Sequence, residues 1–396
     1  MKIGILTGGG DCPGLNAVIR AAVRKGIFHY NDEFLGYLEG WRGVLEDKTM
    51  PLGLDQVAGI LPRGGTILRT SRTNPDKHQG GVARCAENLK KHEVDALIAI
   101  GGDDTMRIAT KLCEMGLKVV GVPKTIDNDL TGTDFCFGFD TAVNVATSAI
   151  DRVHTTAEAH ARVMVVEVMG RDSGWIAVYS GLAGGADVIL VPERPFDIEE
   201  VTAVIRKRYE RGRLFSIVVV AEGAKLATDV DPAHGAAVVT EFGKDEFGHV
   251  RLGGIGNVLA REIEKHTGFE TRAVVLGHIQ RGGSPSAFDR VLATRYGMAA
   301  IDAIHRNEFG VMMALRGTHI VCVPLNEEIL RTRYVDQDLV DVALGLHDKA
   351  SSRRFSSVSA SRCRRFSSAR DAIPETAVSN CRWPMSKVTA GSLESR

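Results

Sequence analysis

The chain has 396 residues, 44% of them hydrophobic, which is ample for a packed core and predicts two domains or one large one. Its 49 basic and 49 acidic residues cancel, which argues against nucleic acid or an anionic membrane as a partner and leaves anion binding to local clusters of Arg and Lys. Seven cysteines without CxxC spacing point away from a disulfide framework or a zinc site. The opening Met1-Lys2-Ile3-Gly4-Ile5-Leu6 lacks a signal-peptide layout and no stretch is long and apolar enough to span a bilayer, so a cytoplasmic protein with reduced thiols is expected.

Lys2 to Leu6 reads as a strand, Thr7-Gly8-Gly9-Gly10-Asp11-Cys12-Pro13-Gly14 as a glycine turn, and Leu15 to Phe28 as a helix. Strand, glycine turn and helix N-terminus together make an anion site; the same arrangement also serves as a plain packing turn. Phe34 to Val44 reads as a short strand and loop. Arg63-Gly64-Gly65-Thr66 and Thr70-Ser71-Arg72 form a second glycine- and arginine-rich patch, either a ligand loop or a solvated one. Gly81 to His92 is a predicted helix.

Then comes the central unit. The apolar run Asp95 to Ile100 ends in Gly101-Gly102-Asp103-Asp104-Thr105, a helical pattern covers Met106 to Met115, and a second run, Lys118 to Val122, ends in Pro123-Lys124-Thr125-Ile126-Asp127-Asn128-Asp129. This is a βαβ unit with parallel strands. Ligands in such sheets sit beyond the carboxyl ends of the strands, where both motifs lie. Glycines admit phosphate oxygens to the backbone, carboxylates hold Mg²⁺ or accept a proton, and Lys124 supplies a cation. Phosphoryl transfer needs these parts.

Downstream, the predicted elements are a helix from Thr141 to Ala161, a strand from Arg162 to Val168 delivering Met169-Gly170-Arg171, a strand from Asp187 to Val191 and a helix from Ile198 to Arg211. A strand from Phe215 ends at Glu222-Gly223, and a loop or ribbon follows. Asn257 to Thr267 is helical, and a strand from Thr271 ends in His278-Ile279-Gln280-Arg281-Gly282-Gly283. Ala287 to His305 is a helix, Val311 to Val323 supplies one or two strands, and Gln337 to Leu346 is a last helix. This alternation over roughly 340 residues predicts an α/β fold of two doubly wound, Rossmann-like lobes with the active site in the cleft between them. From about Ala350 Ser and Arg dominate, Arg-Arg-Phe-Ser-Ser occurs at 353–357 and 364–368, and a disordered tail is expected over 350–396.

Asp127 is the best candidate for a general base, because Thr125 and Asn128 flank it with hydrogen-bonding groups. A single Asp in a turn usually only shapes the turn, but here three acidic or amide residues face a second acidic strand end. Arg162, Arg272 and Arg281, with His278, are candidates for a phosphate-binding set, since Arg favours bidentate phosphate contacts; singly, each also reads as a surface residue.

The ordered series of motifs resembles phosphofructokinases of the bacterial type, from Lys2 to about Leu346. It comprises Gly9-Gly10-Asp11 with Pro13-Gly14-Leu15-Asn16, Gly101-Gly102-Asp103, Thr125 to Asp129, Glu167-Val168-Met169-Gly170-Arg171, Glu222, and Leu276 to Gly283. A GGD turn alone also occurs in lipid and NAD kinases, but those have no use for the motifs from Met169 to Gly283. The resemblance implies phosphoryl transfer to the 1-hydroxyl of fructose 6-phosphate. Asp127 would accept the hydroxyl proton, and Asp103 would hold Mg²⁺ with help from Asp129. Thr125, Asp127, Met169, Gly170, Arg171 and Glu222 would hold the sugar, and Arg162, Arg272, His278 and Arg281 its 6-phosphate. Gly10 and Arg72 would lie beside the phosphoryl donor. In the family the counterparts of Arg162 and Arg272 come from a neighbouring subunit, which implies a homodimer or homotetramer with shared sites. The implied division is a donor lobe at 1–138 plus 280–331 and a sugar-phosphate lobe at 139–279 plus 332–349.

ATP-using members generally carry glycine at the place of Asp104, and many carry it at the place of Lys124. A carboxylate at 104 occupies the volume of a nucleotide α-phosphate and repels it, at a cost on the order of several kcal/mol. Pyrophosphate ends before that point, and Lys124 neutralises charge on the transferred or leaving phosphate. The Asp104–Lys124 pair, with Asp127 and Arg171 the implied catalytic set, resembles the pyrophosphate-dependent branch, whose reaction is readily reversible and serves glycolysis and gluconeogenesis. The alternatives are an ATP-dependent enzyme with a shifted nucleotide and a sugar-phosphate-binding regulatory protein without catalysis. A donor panel separates the first; the intact Asp103, Thr125, Asp127 and Arg171 set speaks against the second.

Overall fold

In the computed structural model, the strand–turn–helix units read from the sequence assemble into two main sheets. Residues 1–227, 236–237, 239–244 and 250–345 are described; the Ser/Arg-rich tail lies outside them. The strands are β1 (Lys2–Thr7), β2 (Glu33–Tyr37), β3 (Thr49–Leu52), β4 (Ala96–Gly101), β5 (Val119–Pro123), β6 (Val163–Val168), β7 (Val188–Leu190), β8 (Ser216–Ala221), β9 (Lys225–Leu226), β10 (Ala236–Ala237), β11 (Val239–Lys244), β12 (Val250–Leu252), β13 (Thr271–Val275), β14 (Val311–Arg316) and β15 (His319–Pro324). The helices are α1 (Leu15–Lys25), α2 (Trp41–Leu45), α3 (Gly81–Lys91), α4 (Asp103–Glu114), α5 (Phe139–His160), α6 (Trp175–Ala183), α7 (Ile198–Glu210), α8 (Ile255–Thr267), α9 (Ala287–His305) and α10 (Gln337–Gly345).

The first sheet has the order β15-β14-β5-β4-β1-β2-β3 and the second β13-β6-β8-β7; β9 pairs with β10 and β11 with β12 as two-stranded ribbons. The inner strands pair in parallel, while β3 and β15 close the first sheet as antiparallel edges. Every residue of β4, β6 and β8 is buried, as expected of strands covered on both faces by helices. The chain leaves β1 for β2 on one side and later β4 on the other, so strand order reverses between β1 and β4. In the second sheet it reverses between β6 and β13. These are the crevices where open α/β sheets bind ligands.

One apolar cluster contains Ile3, Ile98 and Val120 of the first sheet, Val166 and Val219 of the second, and Phe139, Ala142, Ala146 and Ile150 of α5. The lobes therefore share a core, within one compact unit, Met1–Asp348.

Several elements differ from the sequence reading. Helix α4 starts at Asp103 rather than Met106, so both carboxylates sit in its first turn, where the helix dipole favours them. Helix α1 gives way at Gly26 to a π-helical turn; a Cβ there would lie 2.3 Å from Phe34 Cζ. The short helix α2 starts within the predicted loop, and β3 lies where the sequence reading assigned no element. Helix α6 was not predicted: Trp-Ile-Ala-Val-Tyr-Ser-Gly-Leu-Ala is apolar nearly throughout and has no polar face to give a helical period.

Candidate active site

The turn after β1 and the turn after β4 meet over Thr105. A Cβ at Gly8 would stand 2.5 Å, and one at Gly101 2.2 Å, from Thr105 Oγ1, so only glycine fits at either place. The Gly8 N–H donates to Ile100 O at 2.9 Å, which locks the two turns side by side. The patch at 63–72 is not a loose loop. Asn16, buried on α1, donates to the carbonyls of Arg63 and Gly64 and accepts from Ile67 N at 2.9 Å. Thr70 Oγ1 donates to Gly9 O at 2.6 Å, and Gly9 N donates to Ser71 O at 3.2 Å, which brings Arg72 next to the Gly9–Gly10 turn.

Lys124 leaves β5 pointing into this turn. Its side chain is 4% exposed and Nζ donates to Gly10 O at 2.5 Å. Burial pushes its pKa down and Arg281 adds to this, while Cys12, Asp11 and Asp127 oppose it. Arg281 lies on the other side of Gly10: a Cβ at Gly10 would meet its Nη1 at 2.7 Å, and Nη1 donates to Asp11 O at 3.3 Å. Glycine at 10 thus lets a guanidinium and an ammonium approach one turn, two cations where an anion would bind.

Asp127 follows in the loop after β5. Its N–H donates to Thr125 Oγ1 at 3.1 Å and its carbonyl accepts from Ser173 Oγ at 3.3 Å. Its Oδ1 is buried and has no hydrogen-bond partner among the described residues. The Asp129 carboxyl is pushed up to about 7 by burial and by the charges of Asp127 and Asp103. Asn128, expected to assist Asp127, faces away: it is buried at φ 53°, accepts from Cys136 N at 2.9 Å and donates to Asp134 O at 3.4 Å, shaping the loop instead.

Opposite stand the ends of the second sheet. Gly170, at φ 138°, could not carry a Cβ, which would sit 2.7 Å from Ser173 O. Gly223 is pressed on the Arg171 carbonyl, where a Cβ would be at 1.7 Å, and this holds Met169-Gly170-Arg171 beside Glu222. The Glu222 carboxyl is pushed up to about 7, by burial first and then by Asp127. That coupling brings the end of β8 into electrostatic reach of the loop after β5.

The four residues predicted to bind one phosphate do not converge within a chain. Arg281 faces the Gly10 turn, and His278 is exposed on the 3-10 turn Gly277–Arg281. Arg162 and Arg272 precede or open β6 and β13 and so lie at the amino ends of strands whose carboxyl ends carry Met169 and His278. Both pair with Glu270, at 2.8 and 2.6 Å. The six residues of β6 separate Arg162 from Met169, about 20 Å of strand.

Two residues outside the predicted set organise the site. Gln280, fully buried, accepts from Met169 N at 3.3 Å and donates to Gly277 O at 3.1 Å, tying the end of β6 to the turn after β13. Glu167 accepts from Gly254 N and Gly256 N at the start of α8. An acid inside an apolar strand was its signal, since a buried charge needs a partner.

Among the described residues no three His, Cys, Asp or Glu side chains form a metal cage. The grouping of Asp103, Asp127 and Asp129, with one carboxyl pushed up by its neighbours, still fits Mg²⁺, an ion usually held by one or two carboxylates plus substrate phosphates. No helix among the described residues is long and apolar enough to cross a membrane.

The chain is 58% identical over 342 residues to a pyrophosphate--fructose 6-phosphate 1-phosphotransferase of Streptomyces coelicolor, covering 86% of this chain and 98% of that one. It is 53% identical over 346 residues to ATP-dependent 6-phosphofructokinase 3 of the same organism, covering 86% and 100%. The crystal structure of Pichia pastoris phosphofructokinase in the T-state superposes with a TM-score of 0.73 at 31% identity, over 87% of this chain and 36% of that longer one. The family model for phosphofructokinase matches residues 2–304, and the chain belongs to the phosphofructokinase family.

Proposed function

We infer that this chain is a pyrophosphate-dependent phosphofructokinase, transferring a phosphoryl group between pyrophosphate and the 1-hydroxyl of fructose 6-phosphate. The observation that carries the reading is the unpartnered, buried Asp127 Oδ1, set between a buried cation at Lys124 and the end of the second sheet at Glu222. Asp127 takes the proton of the sugar's 1-hydroxyl. That oxygen forms a bond to the near phosphorus of pyrophosphate, the bridging P–O bond breaks, and its electron pair leaves on phosphate. Lys124 and Arg281 hold negative charge at the Gly10 turn. Asp103, with Asp129 beside it, would hold Mg²⁺, which would supply further charge neutralisation. Met169, Gly170, Arg171, Thr125 and Glu222 hold the sugar, and Arg72 lies beside the donor.

Asp104 favours pyrophosphate by excluding a nucleotide α-phosphate, Lys124 neutralises charge on the transferred or leaving phosphate, and the 58% identical relative bears that activity in its name. ATP is the second reading, prompted by the 53% identical relative named for it. Reversal needs no new groups: phosphate attacks the 1-phosphoryl group and Asp127 returns the proton. Residues 1–138 plus 280–331 serve the donor and 139–279 plus 332–349 the sugar phosphate. The position of Arg162 and Arg272, about 20 Å from their own chain's sugar site, supports a homo-oligomer in which they serve a neighbour's site.

The test is fructose 1,6-bisphosphate formation with pyrophosphate or ATP, for wild type and Asp127→Asn. Loss of a general base costs about 10²–10⁴ in kcat, with little change in KM. Activity of the wild type with neither donor would move the reading to a regulatory sugar-phosphate-binding protein.

A further inference from the structure

Residues 331–335 lie beyond residue 304, where the family match ends, and none of the motifs read from sequence covers them. They run as a strap along the loop that carries Asp127. Leu130 and Thr332 form an antiparallel bridge, and Thr131 Oγ1 donates to Arg331 O at 2.7 Å. Arg333 occupies the centre. Its N–H donates to Asp129 O at 2.7 Å, and its Nη1 donates to Thr133 O at 3.1 Å and Asp134 O at 2.6 Å. Its guanidinium lies over the Trp175 ring at 4.4 Å, and its carbonyl accepts from Trp175 Nε1 at 3.1 Å.

Trp175 opens α6, four residues after Arg171. Ser173, just before it, donates to Asp127 O. Glu193 takes Gly174 N at 2.9 Å and Val335 N at 3.0 Å, which fastens the strap to the start of α6 a second time. The carbonyls of the Asp127 loop, the start of α6 and the strap thus form a closed triangle with Arg333 in contact with the other two sides.

We infer that Arg333 is a positioning residue: by holding the carbonyls of Thr133 and Asp134 through Nη1 and stacking on Trp175, its side chain sets the loop that carries the Asp127 and Asp129 carboxylates relative to the Met169–Arg171 segment. The inference rests on Asp127 being the general base. Arg333 touches neither the reacting atoms nor the sugar-holding side chains. It acts through the loop: one guanidinium nitrogen reaches two carbonyls while the guanidinium plane lies over Trp175, and a planar group is needed to do both jobs. Lysine keeps a donor and the charge but cannot do both.

The experiment compares Arg333→Met, Arg333→Lys and Asp127→Asn in the full chain by thermal melting, kcat, and KM for fructose 6-phosphate and pyrophosphate. A displaced catalytic group costs up to about 10²-fold, so Arg333→Met is expected to remain folded and lose about 10–100-fold in kcat, with both KM values within about threefold. Arg333→Lys is expected to recover part of that loss. A folded Arg333→Met with wild-type kcat, beside an inactive Asp127→Asn, overturns the proposal alone. Failure of both Arg333 variants to fold, or activity falling only with the folded fraction, makes Arg333 a stability determinant and also overturns it. Full activity in Asp127→Asn removes the base assignment and the proposal with it.

Discussion

Replacing Asp104 by glycine should open the enzyme to ATP. Asp104 is the second residue of α4, partly buried, directly after the Gly101–Asp103 turn that packs against the Gly8 turn. At about 4–5 Å and an effective dielectric near 20, a carboxylate repels one unit of α-phosphate charge by roughly 3–4 kcal/mol. That is about two to three orders of magnitude in kcat/KM. The opposing cost is small. Glycine in a helix is about 1 kcal/mol worse than alanine, and losing a carboxylate from the first turn costs about 0.3–1 kcal/mol. In a body of this size the melting temperature should drop by only about 2–4 °C per kcal/mol. The assay is initial rate against ATP and against pyrophosphate at saturating fructose 6-phosphate, with a melting curve on each sample. ATP kcat/KM is expected to rise about 100-fold or more in Asp104→Gly. A folded variant with unchanged ATP kcat/KM, or a wild type that uses ATP as well as pyrophosphate, would refute the gate and leave the sugar site untouched.

The Asp129 carboxyl, held at about 7, binds its proton more tightly when folded than unfolded. Stability must therefore fall as pH rises from the ordinary carboxyl range towards 7 and then level off. Asp129→Asn removes this slope, so its stability advantage over wild type should widen between pH 5 and pH 8 in denaturant melts; a constant gap would contradict the assignment. Gly170→Ala forces a Cβ to 2.7 Å from Ser173 O at φ 138°. It should cost about 1–3 kcal/mol and raise KM for fructose 6-phosphate more than for pyrophosphate, as kinetics and melting on one preparation will show. Arg162→Ala should weaken sugar-phosphate binding while barely changing stability, because partly exposed ion pairs contribute about 0–1 kcal/mol. Unfolding and refolding Arg162→Ala together with Asp127→Asn should give mixed oligomers with more activity at low fructose 6-phosphate than either variant alone; no such gain would mean that the sites are not shared.

Much of this protein was legible in its residues. Apolar runs such as Ala-Leu-Ile-Ala-Ile and Val-Met-Val-Val-Glu-Val mark strands covered on both faces, and glycines with acids or Arg after them mark strand ends that open into a crevice. That information is local, carried by period, propensity and turn chemistry, so it survives reading along the chain. Helix α6 escaped because it is apolar almost throughout, and Asn128 misled because an amide beside an acid serves a loop as readily as a ligand. What only tertiary structure decided was pairing across sequence: Thr105 between Gly8 and Gly101, Arg281 beside Gly10, and Arg333 on the carbonyls two hundred positions before it. Those contacts depend on which strands become neighbours and at which end of its strand each side chain lies. The sequence names the groups that do the chemistry, and the folded chain sets which of them meet.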